Sequence, residues 1–221
     1  MARMYDSEEG YDLYSPYYKG DHFFLDSFDW EIVIDFFKQS IEGHSHIDLM
    51  VLGCGDGREI KRFIKAISKT GKSYTFHGMD ISEKMIQLMK KSIKKEGIPL
   101  QNIVKANVLD RFDEQYRERF NLITGLFLIV HLSATQIDPF FDNIRYLLNE
   151  KGFFIFNNIP QKDLPLLRAG KHEMRILSHH HEDSVIEKKL YEHGFSIKIK
   201  RESFEQGIKI STVYCIQKEI L

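Results

Sequence analysis

Hydrophobic and polar positions fall into a regular alternation after residue 46 of this 221-residue chain. Ile47–Leu52 is a short apolar run ending in Gly53-Cys54-Gly55-Asp56-Gly57, and a run bounded by glycines reads as a buried strand. From Arg58 to Lys69 the apolar residues Ile60, Phe63, Ile64 and Ile67 fall at i, i+3, i+4 and i+7, one face of a helix. Tyr74–Met79 reads as the second strand, ending at Asp80. Ser82 then caps a helix with Met85, Met89 and Ile93 on one stripe, stopped by Gly97-Ile98-Pro99. Ile103–Ala106, Leu122–Phe127 and Phe153–Phe156 read as three more buried strands. A helix over about Thr135–Leu148 separates the last two, with Pro139 acceptable only in its first turn. Between 159 and 183 the pattern loosens. A helix over Ser184–His193 then stops at Gly194, and Ser196–Lys200 and Ser211–Gln217 read as a terminal antiparallel pair. Strands alternating with helices demand a mostly parallel sheet with right-handed crossovers, so the expected fold is a doubly wound α/β sandwich.

The first 37 residues depart from this pattern. They hold 11 of the 28 aromatic residues, and nine acids against only Arg3 and Lys19. That is a local charge of −7, which leaves +6 for the remainder of a chain whose net charge is −1. So many rings are not expected to stay solvated. The expectation is an aromatic-rich N-terminal segment, 1–37, packed over a single domain, 38–221. Near-neutral overall charge argues against a protein that coats nucleic acid. Two cysteines, Cys54 and Cys215, are too few for a disulfide scaffold and fit a reducing compartment. The opening MARMYDSEEGYD carries no apolar secretory core, and Leu122–Leu132 is too short to span a bilayer. A cytoplasmic protein without a membrane anchor is expected.

The glycine cluster and Asp80 carry the chemistry. In open α/β sheets the ligand lies beyond the carboxyl ends of the strands. Glycines there let the backbone approach a ligand closely, and the helix from Arg58 turns its positive end toward it. A dinucleotide fingerprint places its third glycine five positions after the first. Here Gly57 comes four positions after Gly53 and Arg58 holds the fifth, which counts against a nicotinamide or flavin cofactor. Asp80 can accept hydrogen bonds from ribose hydroxyls, or can merely cap the helix that follows.

IDLMVLGCGDGREI followed by FHGMDISEKMIQLMKK resembles the first two motifs of class I S-adenosylmethionine-dependent methyltransferases, closest to the type 11/12 branch. The likeness continues through NVLD (107–110), FNLITGLFLIVHL (120–132) and KGFFIFNNI (151–159), and loosely through HGFSIKI. It implies a seven-stranded Rossmann-like sheet, S-adenosyl-L-methionine as cofactor and methyl transfer to a small molecule. It also implies roles for residues. Gly53, Cys54, Gly55 and Gly57 would pass beneath the methionine and ribose. Asp80 would hold the ribose, Ile81 and Val108 would flank the adenine, and Asn107 would accept from the adenine amino group. Leu126 and Phe127 would lie near the methyl.

The catalytic group is harder to read, because the donor is already activated and a base is needed only if the nucleophile arrives protonated. Thr124-Gly125-Leu126-Phe127 lacks the Asn/Asp-Pro-Pro-aromatic signature of amine methylation, and no metal-ligand set follows the fourth strand. His131 is a candidate base or a packed histidine. Tyr11, Tyr14, Tyr17 and Tyr18 either form a lid over the cofactor, with Tyr17 or Tyr18 at the methyl, or patch the sheet. His179-His180-His181 reads as a surface loop, since adjacent side chains diverge and seldom chelate one ion. The lysines between 84 and 95 read as a solvated face, and Arg168, Lys171, His172 and Arg175 as possible partners of an acidic substrate. A non-catalytic cofactor-binding or scaffold protein, a dehydrogenase-like nucleotide binder and an aminopropyl transferase are the rival readings.

Overall fold

The computed structural model describes residues 3–18, 30–98, 102–159, 167–169, 172–205 and 207–219. In chain order its elements are β1 (Arg3–Tyr5), α1 (Ser7–Tyr14), α2 (Trp30–Ser40), β2 (His46–Leu52), α3 (Arg58–Ser68), β3 (Ser73–Asp80), α4 (Glu83–Lys94) and β4 (Ile103–Lys105). There follow β5 (Phe120–Gly125), α5 (Ile137–Leu147), β6 (Leu148–Asn158), β7 (Leu167–Ala169), β8 (His172–Ile176), α6 (Asp183–Glu192), β9 (Phe195–Glu205) and β10 (Ile208–Lys218). Seven strands form one sheet in the order β4-β3-β2-β5-β6-β10-β9. The first five run parallel, and β10 lies antiparallel to both β6 and β9.

Strand alternation decides which residue faces which layer. β2 sends Ile47, Leu49 and Val51 to the face covered by α2, α3 and α4, with Phe37, Phe63, Ile86 and Met89. Its Met50 and Leu52 face the opposite layer, where Phe140, Phe141 and Ile144 of α5 pack with Ile186 and Leu190 of α6. The helical face read from 60, 63, 64 and 67 is thus buried on the sheet, as are Met85, Met89 and Ile93 of α4. Pro139 is the third residue of α5, inside the first turn where its missing N–H is harmless.

Two expectations need correction. Residues 30–40 form one helix, and Phe37 stacks on Phe63 at 4.4 Å between ring centres. A boundary after residue 37 therefore cuts through an element of the main core. Second, part of the loose stretch from 159 to 183 is β structure. β8 pairs with β7 on one side and, in parallel, with β1 on the other. Strands this short carry no periodicity of their own. They form because Tyr14, Met174 and Ile176 bury one another between α1 and β8.

The N-terminal part is pinned to the body by polar contacts as well. Asp12 of α1 accepts from the Ser82 hydroxyl at 2.5 Å and from the Lys84 backbone N–H at 3.3 Å, at the amino end of α4. Glu8 pairs with Lys105 of β4 at 2.5 Å. The acidic character of the segment thus meets one basic side chain of the body and one helix N-terminus. Phe23, Phe24, Phe28 and Lys19 lie outside the described residues.

Candidate functional site

A cavity of about 370 Å³ opens at the carboxyl edge of the sheet, between β3, β2 and β5 below and α1 above. This is the point where strand order reverses from β2 toward β3 on one side and β5 on the other. Strands of a parallel sheet diverge there, so side chains cannot fill the crevice.

The loop after β2 forms the floor. Gly53 and Gly55 line the cavity with φ of 64° and 54°, a left-handed conformation costly for residues bearing a Cβ. The Cys54 N–H donates to the Met79 carbonyl at 2.9 Å, which ties the loop to β3. Asp80 completes the cradle. Its Oδ2 accepts from Gly55 N–H at 2.8 Å and its Oδ1 from Ser82 N–H at 2.9 Å. Burial raises its carboxyl above the ordinary range while the Ser82 and Gly55 amides pull it back. Asp80 therefore shapes the loop in addition to facing the cavity.

Gly57 does something else. It does not line the cavity but starts α3 at φ 81°, and a Cβ there would lie 2.7 Å from Met89 Cγ. Gly57, expected beneath a cofactor, thus has a packing role as well: only a residue without a side chain lets α3 begin against α4. Asp56 turns back onto Arg58, accepting from its N–H at 3.2 Å and its Nε at 3.1 Å. The Arg58 guanidinium in turn lies over the Tyr18 ring.

Ile81, Asn107, Val108, Leu126 and Phe127 all line the cavity. The Asn107 side-chain carbonyl already accepts from Leu109 N–H at 3.0 Å. Phe127 falls beyond β5, which ends at Gly125, and has φ 58°. Its N–H donates to Asn157 Oδ1 at 2.6 Å, and Asn157 Nδ2 donates to Ser211 Oγ at 3.1 Å. This buried relay from β10 through β6 holds the turn in a conformation a non-glycine residue seldom adopts.

The roof comes from the N-terminal segment and from residues between 131 and 179. Tyr11 and Tyr18 line the cavity, Tyr14 is buried behind them, and Tyr17 is 44% exposed and points away. Tyr17 is thereby removed as a candidate at the methyl, because the turn after α1 directs its ring to solvent. Tyr11 lines the cavity instead. Its hydroxyl lies 3.0 Å from His131 Nε2, while His131 Nδ1 lies 3.2 Å from the Leu177 carbonyl. A carbonyl only accepts, so Nδ1 carries the ring proton and Nε2 accepts from Tyr11. Burial lowers the His131 pKa and raises that of Tyr11, so both stay neutral. Nothing in the spacing marks this pair, which joins residues 120 apart.

The histidine tract is not a plain surface loop. His179 lines the cavity, while His181 is buried with Nε2 on the Leu132 carbonyl at 2.8 Å. Among the described residues no three His, Cys, Asp or Glu side chains gather as a metal site. Arg175 is exposed, and Lys171 lies outside the described residues. Glu59, in the first turn of α3, is buried at the cavity wall, and no feature of the sequence singles it out.

A doubly wound sheet closed by an antiparallel last pair, with a glycine loop and an acid at its carboxyl edge, defines the class I methyltransferase fold. Residues 43–206 match a family model described as a methyltransferase domain, and the chain belongs to that family. It is an S-adenosylmethionine-dependent methyltransferase. Solved structures agree on the fold. An S-adenosylmethionine-dependent methyltransferase from Clostridium acetobutylicum is 14% identical, with 95% of this chain and 98% of that one covered and a TM-score of 0.62. Magnesium protoporphyrin IX methyltransferase from Synechocystis, crystallised with S-adenosylhomocysteine, is 16% identical over 86% of this chain and 81% of its own, with a TM-score of 0.63. The 4+2 cyclase SpnF is 10% identical over 99% of both chains, with a TM-score of 0.69. No protein of curated function matches in sequence.

Proposed function

We propose that the protein methylates a small molecule bound between the cofactor and the roof made by α1. The observation that carries this reading is the cover itself. Tyr11 and Tyr18 close over the glycine loop, so an acceptor must fit beneath a helix of the same chain, which suits a small molecule better than a polymer. No helix of the described residues is long and apolar enough to cross a membrane. Both cysteines are free and buried, which supports a reducing, cytoplasmic setting.

The residues present fit S-adenosylmethionine. Gly53, Cys54 and Gly55 would offer backbone beneath its methionine and ribose, and Asp80 the lone pairs for its ribose hydroxyls. Ile81 and Val108 would flank the adenine. Asn107 would meet the adenine edge, its Oδ1 keeping one lone pair beside the Leu109 N–H. Leu126 and Phe127 would face the sulfur. When bound, the cofactor supplies a methyl on a positively charged sulfur. The chain then has to align the acceptor and exclude water, which a covered apolar pocket does. An acceptor hydroxyl reaching Tyr11 could pass its proton to the Tyr11 oxygen as the phenolic proton moves to His131 Nε2.

The test is transfer of labelled methyl from S-adenosylmethionine to a panel of small phenols, carboxylic acids and amines. Turnover on at least one class, lost in Asp80→Ala together with cofactor binding, supports the reading. Cofactor binding without turnover on any acceptor would favour the non-catalytic binding protein.

A further inference from the structure

Glu59 is the second residue of α3, 6% exposed, and lines the cavity beside the glycine loop. Its Oε1 has no hydrogen-bond partner among the described residues, and neither has Thr124 Oγ1 at the end of β5. Resting on the S-adenosylmethionine reading above, we propose that the Glu59 carboxylate, backed by the Thr124 hydroxyl, receives the ammonium group of the cofactor's methionine moiety.

An unpaired acid at the wall of a cavity is expensive unless a ligand completes it. The cofactor offers two positive groups. A sulfonium has no hydrogen to donate, whereas an ammonium has three, and the Glu59 carboxylate, with Thr124 buried behind it, has an acceptor to spare. Other charged groups around the site are already committed. Arg58 pairs with Asp56, and Asp80 holds the Gly55 and Ser82 amides. Of the neutral titratable neighbours, Cys54 stands on the loop and Tyr18 in the roof, both with pKa values raised by burial. None of these supplies a cation to Glu59. Burial accordingly pushes the Glu59 carboxyl up to about 8, with Thr124 pulling weakly the other way. The acid is then mostly neutral at pH 7, and an arriving ammonium must ionise it.

Two consequences separate this from a merely buried acid. S-adenosylhomocysteine binding at pH 7 should release close to one proton, read as a binding enthalpy that changes with the ionisation enthalpy of the buffer. The deaminated analogue, which keeps the adenosine, thioether and carboxylate, should release none and bind about 10- to 100-fold more weakly, the worth of a hydrogen bond to a charged group. Glu59→Gln should weaken S-adenosylhomocysteine by a similar factor, abolish the proton release and leave the analogue's affinity unchanged. The two wild-type measurements need no variant, so they decide even if Glu59→Gln folds poorly. Equal affinity for both ligands in the wild type, or equal losses for both in Glu59→Gln, would overturn the assignment while leaving the cofactor reading intact. Failure of the wild type to bind either ligand would overturn both.

Discussion

Asp80→Asn is the most informative single change, because it keeps the shape of the side chain and turns one oxygen into a donor. In the native site Oδ2 faces the Gly55 N–H and Oδ1 the Ser82 N–H, at 2.8 and 2.9 Å. Either orientation of the new amide points an NH₂ at a backbone N–H. One buried amide is left unpaired, a loss of about 1–3 kcal/mol, and the other keeps only a neutral bond in place of a charge-assisted one. Against this, the variant is spared the desolvation that raises the Asp80 carboxyl. A net loss of about 1–3 kcal/mol lowers the melting temperature by roughly 3–10 °C for a chain of this size. Loss of charge-assisted acceptance from the ribose should weaken S-adenosylhomocysteine by about 10- to 100-fold. Scanning calorimetry without ligand and titration calorimetry with it read the two effects separately. Native stability with native affinity would refute the argument that one carboxylate both shapes the loop and holds the ligand. Lowered stability with native affinity would reduce Asp80 to a loop anchor.

Gly57→Ala should cost about 2–4 kcal/mol in denaturant unfolding, from a left-handed alanine and a Cβ 2.7 Å from Met89 Cγ, with little change in cofactor affinity. Without ligand, stability should fall as pH rises from about 4.5 to about 8, because Glu59 stays protonated in the folded chain over that window and ionises in the unfolded one. Glu59→Gln should remove up to about 1.4 kcal/mol per pH unit of that slope, read from melting temperatures across the range. Tyr11→Phe should lower kcat on a hydroxyl acceptor by about 10²-fold or more while leaving the cofactor Kd within a few fold, measured by steady-state kinetics beside calorimetry. Removing residues 1–18 takes away Tyr11, Tyr18 and the Asp12 contact with α4. S-adenosylhomocysteine should then dissociate faster in stopped flow, and an unchanged rate would show that the segment is packing alone.

The body of the fold was legible because its causes are local. The spacing of Ile60, Phe63, Ile64 and Ile67, the apolar runs at 47–52 and 153–156, and the stop at Gly194 all state their element within a few residues. The loop was legible for the same reason, since Gly53, Gly55 and Asp80 come from one strand–helix–strand unit. Boundaries were less so. Residues 122–127 read as one strand, yet the strand stops at Gly125 and Phe127 turns left-handed, because Asn157 from β6 supplies an acceptor that no pattern near 127 could reveal.

By itself, the sequence determined a doubly wound sheet, a glycine loop too short for a dinucleotide, and an acid at the end of the second strand. It also showed an acidic aromatic segment in need of a partner. Tertiary structure alone decided where that segment lies. It put Tyr11 at the cavity and Tyr17 in solvent, set Tyr11 on His131, and joined one strand near the N-terminus to two between 167 and 176 in one small sheet. It likewise set Gly57 in the packing of two helices and buried Glu59 with an oxygen left unpaired. Periodicity encodes which way a side chain faces within its own element. What that side chain meets depends on groups tens to over a hundred residues away, and only the folded chain brings them together.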